Sequence, residues 1–310
     1  MPQINVRPAR LDDAAAITAV HCSTVDEWRD PHTRQAVPYA ALDLFGRWYS
    51  GGPWMSVELC AIHLNALLRA GPAPLVAEVD GRIVGEAEYH INVEPPPFGA
   101  ALHLSVLYVH QDWQQQGVGR ALLDAGLELA RQQGLPALTT QPEPDARAFY
   151  RRTRFVPWLA ASEMQLAAGG TPPPGLSRLM ENPGPPAALA LRVGRYQCSA
   201  LDWEPLWPTL ALPGWSDLRR WVWQGALNGV PVALGLREQL RDPQQADGYA
   251  WLPPAAPLTP AVAALAALAA QAGFIAVDLL LPDSALPDLQ KTFALSYQTS
   301  LEIWRREIEK

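Results

Sequence analysis

An apolar strand that runs into a glycine-opened helix constrains this chain of 310 residues more than any other feature. The segment is residues 104–123, LSVLYVHQDWQQQGVGRALL: an apolar strand, a short polar turn and the start of an amphipathic helix. Gly117 and Gly119 allow the backbone to approach a ligand closely, and the first amides of a helix have no intrahelical partner. Since the positive end of the helix dipole lies behind those amides, the sequence predicts an anion site here.

Two well-known phosphate-binding loops do not fit this segment. The dinucleotide-binding fingerprint needs a third glycine three residues after Gly119, and Leu122 stands at that position. The Gly-Lys-Ser/Thr of the Walker loop is absent from the segment. The spacing Gln114-x-x-Gly117-x-Gly119 after a strand instead resembles the acetyl-CoA pyrophosphate loop of the GCN5-related N-acetyltransferases, the GNAT superfamily.

The order of predicted elements around the loop supports the same resemblance. In chain order they are a strand at 4–7, a helix at 11–20, a hairpin of 75–79 and 82–91, a strand at 101–109, a helix from 118 capped at 134, a strand at 137–140, a helix at 144–152 and a strand from 155. This is the GNAT order. The resemblance therefore implies an α/β fold of the GNAT type, with a mixed, mostly antiparallel central sheet flanked by helices.

The resemblance also implies a cofactor, acetyl-CoA, which serves as the acyl donor. The strand amides would hold the pantetheine arm and polarise the thioester carbonyl in the manner of an oxyanion hole. The loop and the helix start would hold the pyrophosphate. The implied cofactor-binding residues are Leu107, Tyr108, Val109, Gln114, Gln115, Gln116, Gly117, Val118, Gly119 and Arg120.

Tyr150 is the candidate general acid. The run from Ala146 to Phe155, ARAFYRRTRF, resembles the family pattern Ala-x-x-x-Tyr-x-x-x-Gly-Phe, in which the tyrosine hydroxyl lies near the thioester sulfur. Tyr150 matches that tyrosine, which implies that it protonates the leaving thiolate. The alternative is a half-buried aromatic residue on an amphipathic helix. Arg154 replaces the glycine of the pattern, which leaves the conformation of that turn open.

The base that removes the proton of the attacking amine should lie on the strand before the loop or on its neighbour. His103 is one candidate, because histidine titrates near neutral pH. Its strand is similar to that of arylalkylamine N-acetyltransferases, which have two histidines there; His103 matches the first, and Ser105 replaces the second. Glu86, Glu88 and His90 alternate on the preceding strand and are further candidates, with a solvated strand face as the alternative.

Composition excludes several other classes of protein. The three cysteines are scattered and show neither a disulfide framework nor zinc-ligand spacing. A net charge of -7 disfavours nucleic acid as a partner. No apolar run has the length of a membrane helix, and the first residues lack the pattern of a signal peptide. We expect a cytoplasmic protein without a metal, with a small-molecule amine as its partner, and as either a monomer or a homodimer.

A stretch rich in proline and glycine, 169–187, separates two predicted domains, 1–168 and 188–310. The second is predicted as a degenerate GNAT-like copy: a strand at 188–192, a helix at 218–227, strands at 230–236 and 248–252, a helix at 260–270, a strand at 274–281, a helix near 286–293 and a final strand to about 305. Its loop position, 252–260, has prolines in place of the glycine pair, so we expect no pyrophosphate there. This copy would shape the acceptor pocket or complete the first domain's sheet.

Two functions from different classes remain. One is an acetyl-CoA-dependent N-acetyltransferase that acts on an amine, and the other is a non-catalytic acyl-CoA-binding or regulatory module. The intact loop together with Tyr150 favours the enzyme. An aromatic region before the hairpin either lines the acceptor site or packs helices onto the sheet; its residues are Trp28, Tyr39, Phe45, Trp48, Tyr49 and Trp54.

Overall fold

The computed structural model describes residues 3–194, 198–207 and 217–308, whose strands form one 13-stranded sheet. The first half comprises β1 (Asn5–Pro8), α1 (Ala14–Cys22), α2 (Leu44–Tyr49), α3 (Val57–Ala70), β2 (Leu75–Val79), β3 (Arg82–Val93), β4 (Ala100–Val109), α4 (Val118–Gln132), β5 (Ala137–Thr140), α5 (Arg147–Arg152) and β6 (Val156–Ala167). The second half comprises β7 (Leu176–Arg178), β8 (Ala190–Val193), α6 (Ser199–Trp203), β9 (Arg220–Leu227), β10 (Val230–Glu238), β11 (Gln245–Leu252), α7 (Thr259–Gln271), β12 (Ala276–Pro282), α8 (Leu286–Leu289) and β13 (Ser296–Glu307).

The predicted fold class and the element order of the first half are confirmed. Asp80 and Gly81 join β2 to β3 with φ angles of +50° and +75°, as a two-residue primed turn requires. Gly134 follows α4 with a φ of +66°, the conformation that ends a helix. The sheet is mixed and mostly antiparallel: among the described strands, only the pairs β4–β5 and β11–β12 run parallel. The predicted linker 169–187 contains β7, which pairs with β9.

The prediction of a helix at 218–227 is wrong: this segment contains the strand β9. Trp221, Val222 and Trp223 are aromatic or β-branched residues, which fit a pleated surface better than a helix. β9 and β10 form a hairpin through Asn228 and Gly229, which have φ angles of +51° and +81°. An Asn-Gly pair between two apolar runs is a strong hairpin signal, and here it decides the secondary structure of both flanks.

Each half places its last strand beside the other half. The strand order is β1-β2-β3-β4-β5-β13-β6-β12-β11-β10-β9-β7, with β8 paired to β11. β13 pairs antiparallel with β5, β6 pairs antiparallel with β12, and β6 and β13 pair with each other at the centre. The second half therefore completes the sheet of the first. The domain boundaries at 168 and 188 stay a prediction.

β13 also contributes to the core of the first half. Trp304 has no exposed surface and packs in the same apolar cluster as Leu138, Tyr150 and Phe155. The guanidinium of Arg151 lies over its ring, 5.2 Å from the ring centroid. The residues around the candidate general acid thus include one from the far end of the chain.

The two faces of β3 serve different parts of the molecule. Tyr89 faces α4, where its hydroxyl donates to the carbonyl of Leu122 at 3.0 Å. Glu86 and Glu88 face the other side, where they contact His21 of α1 and His63 of α3. The loop before α4 and the buried carboxyl groups therefore lie on opposite faces of the same strands.

The helices of the described ranges are all too short or too polar to cross a bilayer. A cytoplasmic location stays a prediction.

Candidate functional site

β4 and β5 separate at the end of β5. Their parallel pairing runs from Leu102 and Leu138 to Leu104 and Thr140, and the Thr140 hydroxyl donates to the Leu104 carbonyl at 3.0 Å. Beyond that point β4 continues to Val109, and among the described strands it pairs only with β3. An open strand edge can hydrogen-bond an extended ligand as it would another strand. The predicted pantetheine-binding residues 107–109 all lie in this open stretch.

A β-bulge interrupts β4 at the same place. Glu88 pairs with Val106 and Tyr89 with Leu104, so Ser105 is an extra residue in the ladder. The Ser105 hydroxyl donates to the carbonyl of Glu88 at 3.3 Å. A bulge bends its strand and disrupts the regular ladder, which allows main-chain groups to be directed at a ligand.

The loop before α4 has the backbone that an anion site requires. Gln115 and Gly117 adopt left-handed φ angles of +61° and +92°. Gly117 is the N-cap of α4 and provides no side-chain cap, so the first amides of the helix, at Val118, Gly119 and Arg120, have no intrahelical acceptor. These amides and the helix dipole favour a negatively charged group at this position.

The side chains around this loop stabilise its shape and leave its mouth open. A Cβ atom on Gly119 would lie at ordinary contact distance, 3.7 Å, from both Phe149 and Val109, so position 119 faces these two side chains. Three side chains of the predicted cofactor set bond within the protein: Gln114 to the carbonyl of Val109, Gln116 to the carbonyl of Asp112, and Arg120 to the carboxylate of Asp124.

Tyr150 lies beside the end of β5. Its ring packs edge-on between Phe149 and Phe155, with centroid distances of 5.1 and 5.3 Å. Burial raises the pKa of Tyr150 to about 12, against the opposite effect of a hydrogen bond with Thr140. The hydroxyl is therefore protonated at neutral pH and lies next to the residue at which β4 and β5 separate. This placement suits a proton donor, and the general-acid role stays a prediction.

Glu88 forms a buried ion pair on the other face of the sheet. Its Oε1 accepts a hydrogen bond from Trp54 Nε1 at 2.7 Å and another from His63 Nε2 at 2.9 Å. Burial favours the neutral acid, but the charge and hydrogen bond of His63 hold the pKa of Glu88 below its usual value. Burial also opposes the charge on His63, yet Glu88 raises the pKa of that imidazole. Each group therefore shifts the pKa of the other towards the ionised form.

The pKa of Glu86, two residues earlier on β3, shifts in the opposite direction. Its carboxyl oxygen lies 2.6 Å from His21 Nε2, and both side chains are buried. Burial and the charge of Glu88 raise the pKa of Glu86 well above its usual value. Burial lowers the pKa of His21 to about 3, so the shifts of both groups favour their neutral forms. Neighbouring carboxyl groups with divergent pKa values are typical of acid–base sites.

His103 lies on the same face as these carboxyl groups. It pairs with His90 across β3 and β4, and its Nδ1 lies 2.9 Å from the hydroxyl of Thr139. Burial lowers the pKa of His90, although Glu88 opposes that shift. His103 has no exposed surface, whereas the His63 side chain, bonded to Glu88, is 20% exposed. The role of His103 as base stays a prediction, and the geometry favours Glu88.

Residues 27–155 match the sequence profile of the Acetyltransferase (GNAT) family. The matched segment contains the β4 opening, the glycine loop and Tyr150. The match covers less than half of the chain and supports the GNAT superfamily for this segment. The match supports an acyltransferase, and the non-catalytic acyl-CoA-binding or regulatory module stays the alternative prediction. No curated protein sequence matches the chain significantly.

Solved structures resemble this protein over 99% of its length, at low sequence identity. A GCN5-related N-acetyltransferase from Anabaena variabilis ATCC 29413 aligns over 73% of its own chain, with 10% identity and a TM-score of 0.63. A probable N-acyltransferase from Enterococcus faecalis V583 aligns over 73% of its chain, with 10% identity and a TM-score of 0.59. A tandem GNAT protein from the clavulanic acid biosynthesis pathway aligns over 99% of its chain, with 14% identity and a TM-score of 0.50. These likenesses show a tandem GNAT fold.

In the second, GNAT-like half, the strand edge that corresponds to the open edge of β4 is covered. β11 and β12 pair in parallel up to Gly248 and Leu279, as β4 and β5 do in the first half. β8 then pairs with β11, and the amide of Gly194 donates to the carbonyl of Leu280 at 2.9 Å. β8 thus occupies the edge that the first half leaves open. A pantetheine arm has no strand edge to bind there.

Sequence reasoning did not identify His21 and His63 as members of the site. Each lies on a helix far from β3 in the chain, and neither belongs to a recognisable motif. A weak signal exists for His63, because it falls on the same helical face as Cys60, Leu64 and Leu67. A titratable side chain on the apolar face of a helix indicates a buried partner.

Proposed function

We propose that this acyltransferase transfers the acetyl group of acetyl-CoA to the amine of a small cationic molecule. One observation carries the proposal: the ionised Glu88 pairs with Val106 of β4, beside the bulge and the open strand edge. A proton acceptor and the binding edge for a thioester are thus adjacent, on neighbouring strands.

The open face of the first half suits acetyl-CoA. The amides at the start of α4 would bind the pyrophosphate, and residues 107–109 of β4 would pair with the pantetheine arm. The thioester would then lie near the bulge at Ser105, where a β4 amide can donate to the carbonyl oxygen as negative charge develops on it.

Glu88 would act as the general base. The hydrogen bonds that the described residues make to its carboxylate all reach Oε1, so Oε2 can accept a proton from the amine, directly or through water. The neutral amine then attacks the acetyl carbonyl, its nitrogen releases a second proton to solvent, and the carbon–sulfur bond breaks as the intermediate collapses to the amide. Tyr150 donates its proton to the leaving thiolate and regains one from solvent. The His63 imidazolium keeps Glu88 ionised between turnovers.

The surroundings of Glu88 favour a cationic acceptor. The His21 ring stacks on Trp54 and on Tyr108, with centroid distances of 5.1 and 4.3 Å. Tyr108 is 40% exposed, so an aromatic surface reaches solvent close to the buried carboxylate. A protonated amine gains from both the negative charge and the aromatic rings.

Calorimetric titration of acetyl-CoA into the wild type and a Gly119→Trp variant tests the donor. An indole at position 119 would fill the mouth between α4 and α5, and we expect it to weaken binding at least about 20-fold. Gly71→Trp is the matched control: Gly71 has extended backbone, and a Cβ atom there would have nothing within 4 Å, so binding should persist. Absence of acetyl-CoA binding to the wild type would refute the proposal. A screen of cationic and anionic amines for thiol release then tests the acceptor.

Tyr150→Phe is expected to lower kcat about 30-fold and to leave acetyl-CoA affinity unchanged. The effect is smaller than for many general acids, because a thiol with a pKa of about 8.5 is a tolerable leaving group. Stopped-flow detection of thiol release measures it. Tyr89→Phe is the control, since it removes another buried hydroxyl from the same face and should cost only stability. Equal kcat for wild type and Tyr150→Phe would exclude the general-acid role.

A further inference from the structure

A cavity lies at one end of β5, and the acyl-CoA opening, which is the gap between β4 and β5 beyond Thr140, lies at the other end. Its volume is about 610 Å³, and ten residues line it. Four of them are arginines and one is acidic: Arg131, Arg154, Arg305, Arg306 and Glu307. β5 begins beside Glu307, whereas the opening lies beyond the other end of this strand, at Thr140. This excess of positive charge is concentrated in one cavity of a chain whose net charge is -7.

Arg154 occupies a position at which a side chain is unfavourable. Its φ angle is +67°, and its amide donates to the carbonyl of Arg151 at 3.0 Å, which fixes this conformation at the end of α5. A residue with a Cβ atom is strained in this region, while glycine adopts it without strain. A strained residue points to a role for its side chain. The side chain of Arg154 lines the cavity.

Arg305 and Arg306 are held in fixed orientations. Arg305 Nε donates to the Glu307 carboxylate at 2.7 Å, and its guanidinium lies 4.9 Å from the centroid of the Trp158 ring. Arg306 donates through Nη1 to the carbonyl of Thr153 at 2.9 Å. Because a guanidinium has five N–H donors, these contacts orient each group and leave donors for a ligand. Such preorganisation reduces the entropy lost on binding.

The arginines that line this cavity repel one another. Burial lowers the pKa of Arg306, and outside the cavity Arg120 lowers it while Asp124 raises it; the charges of Arg154 and Arg131, which line the cavity, lower it further. A bound anion would relieve this repulsion and would accept charge-assisted hydrogen bonds. The apolar part of the lining, which includes Leu127 and Val156, would contact an apolar group.

We propose that this cavity binds a small organic anion that carries a doubly charged group on an apolar body, such as an aromatic phosphate monoester. The volume falls within the range of small-molecule sites. The ligand would contact both halves of the protein, since α4 and β6 belong to the first half and β13 to the second. The site is separate from the acyl-CoA loop and independent of the acyl transfer reaction.

Thermal unfolding and calorimetry of the full chain with phenyl phosphate test the proposal. We expect the melting temperature of the wild type to rise by about 3 °C at saturating phenyl phosphate. Phenol and inorganic phosphate, which carry the apolar body and the charge separately, should each have a smaller effect. Citrate distinguishes a polycarboxylate from a phosphate ester as the source of the charge.

Arg154→Gly gives the sharpest variant, because strain and binding predict opposite changes. We expect a higher melting temperature without ligand, since glycine relieves the left-handed strain, and phenyl phosphate binding at least about tenfold weaker. Arg306→Gln should weaken binding as well. Arg152→Gln removes an exposed charge from α5 and should leave binding intact. Gly119→Trp should also bind phenyl phosphate normally, which separates this site from the acyl-CoA loop.

Three results would overturn the proposal. One is equal phenyl phosphate affinity in the wild type, Arg154→Gly and Arg306→Gln. Another is loss of binding in Gly119→Trp, which would place the probe at the acyl-CoA loop. The third is binding to Glu307→Gln with none to the wild type, which would show that a carboxylate of the chain itself neutralises the arginines.

Discussion

Replacing Glu88 by glutamine is expected to lower kcat for acetyl transfer about 1,000-fold, which lies within the range for removal of a general base. Glutamine has nearly the same shape and still accepts from Trp54 Nε1, but it has neither the charge nor the basicity of the carboxylate. The acetyl-CoA loop lies on the other face of the sheet, so donor affinity should change by no more than about twofold. Steady-state thiol release and calorimetric titration measure the two quantities.

Glu86→Gln is the matched control for this change. Glu86 is on the same strand and face and is equally buried, and burial and the charge of Glu88 raise its pKa, so a neutral glutamine should disturb its contact with His21 little. We expect its kcat to remain within about threefold of wild type. Equal losses in Glu86→Gln and Glu88→Gln would mean that the carboxyl pair is structural, and the base would then be His103 or a water molecule.

The pH dependence gives an independent test of the ion pair. Activity requires an ionised Glu88, so it falls as the pH decreases through the pKa of this group, which His63 holds below its usual value. In His63→Gln the imidazolium is gone while burial remains, so the pKa of Glu88 rises and the acid limb of kcat/KM moves to higher pH. An unchanged acid limb in this variant would exclude Glu88 as the group that sets it.

The parts of the fold that the sequence predicted depend on short-range chemistry. The turn at Asp80 and Gly81 and the loop at Gly117 are specified by residues within a few positions of one another, because only certain residues adopt left-handed backbone easily. The wrong prediction at β9 also concerns short-range patterns. Over only eight residues, the spacing of the apolar residues fits both the helical period of 3.6 and the strand period of 2. The Asn228-Gly229 turn, which indicates a hairpin, decides in favour of a strand.

The strand exchange and the ion pair could not be predicted from local patterns. β13 pairs with β5 across more than a hundred residues of intervening chain, and no alternation within β13 distinguishes this partner from β12. Glu86 and Glu88 likewise have equivalent positions in the strand pattern. Their pKa values shift in opposite directions, because burial and the charge of Glu88 raise that of Glu86, whereas His63 on α3 lowers that of Glu88. Burial by distant elements, rather than the strand itself, sets the chemistry of each carboxyl group.

Trp304→Ala is expected to lower the free energy of unfolding by about 4 kcal/mol, the usual cost of removing a fully buried large aromatic side chain. Trp304 belongs to β13 but packs in the core of the first half, against the residues around Tyr150. A cavity there should also allow Tyr150 to shift, so we expect kcat to fall about tenfold at a temperature where the variant is folded. Urea unfolding followed by tryptophan fluorescence, together with thiol release, measures both effects.

Trp251→Ala separates the stability effect from the catalytic effect. Trp251 is equally buried, but it packs in the second half, where its indole Nε1 donates to the hydroxyl of Ser199 at 2.8 Å. Because one sheet runs through both halves, each variant should unfold in a single transition with a similar loss of stability. Only Trp304→Ala should lower kcat. Two results would contradict this expectation: unfolding in two transitions, or loss of kcat in Trp251→Ala alone. Either would mean that the stability and the active site of the first half do not depend on β13, so that β13 does not complete the first half in solution.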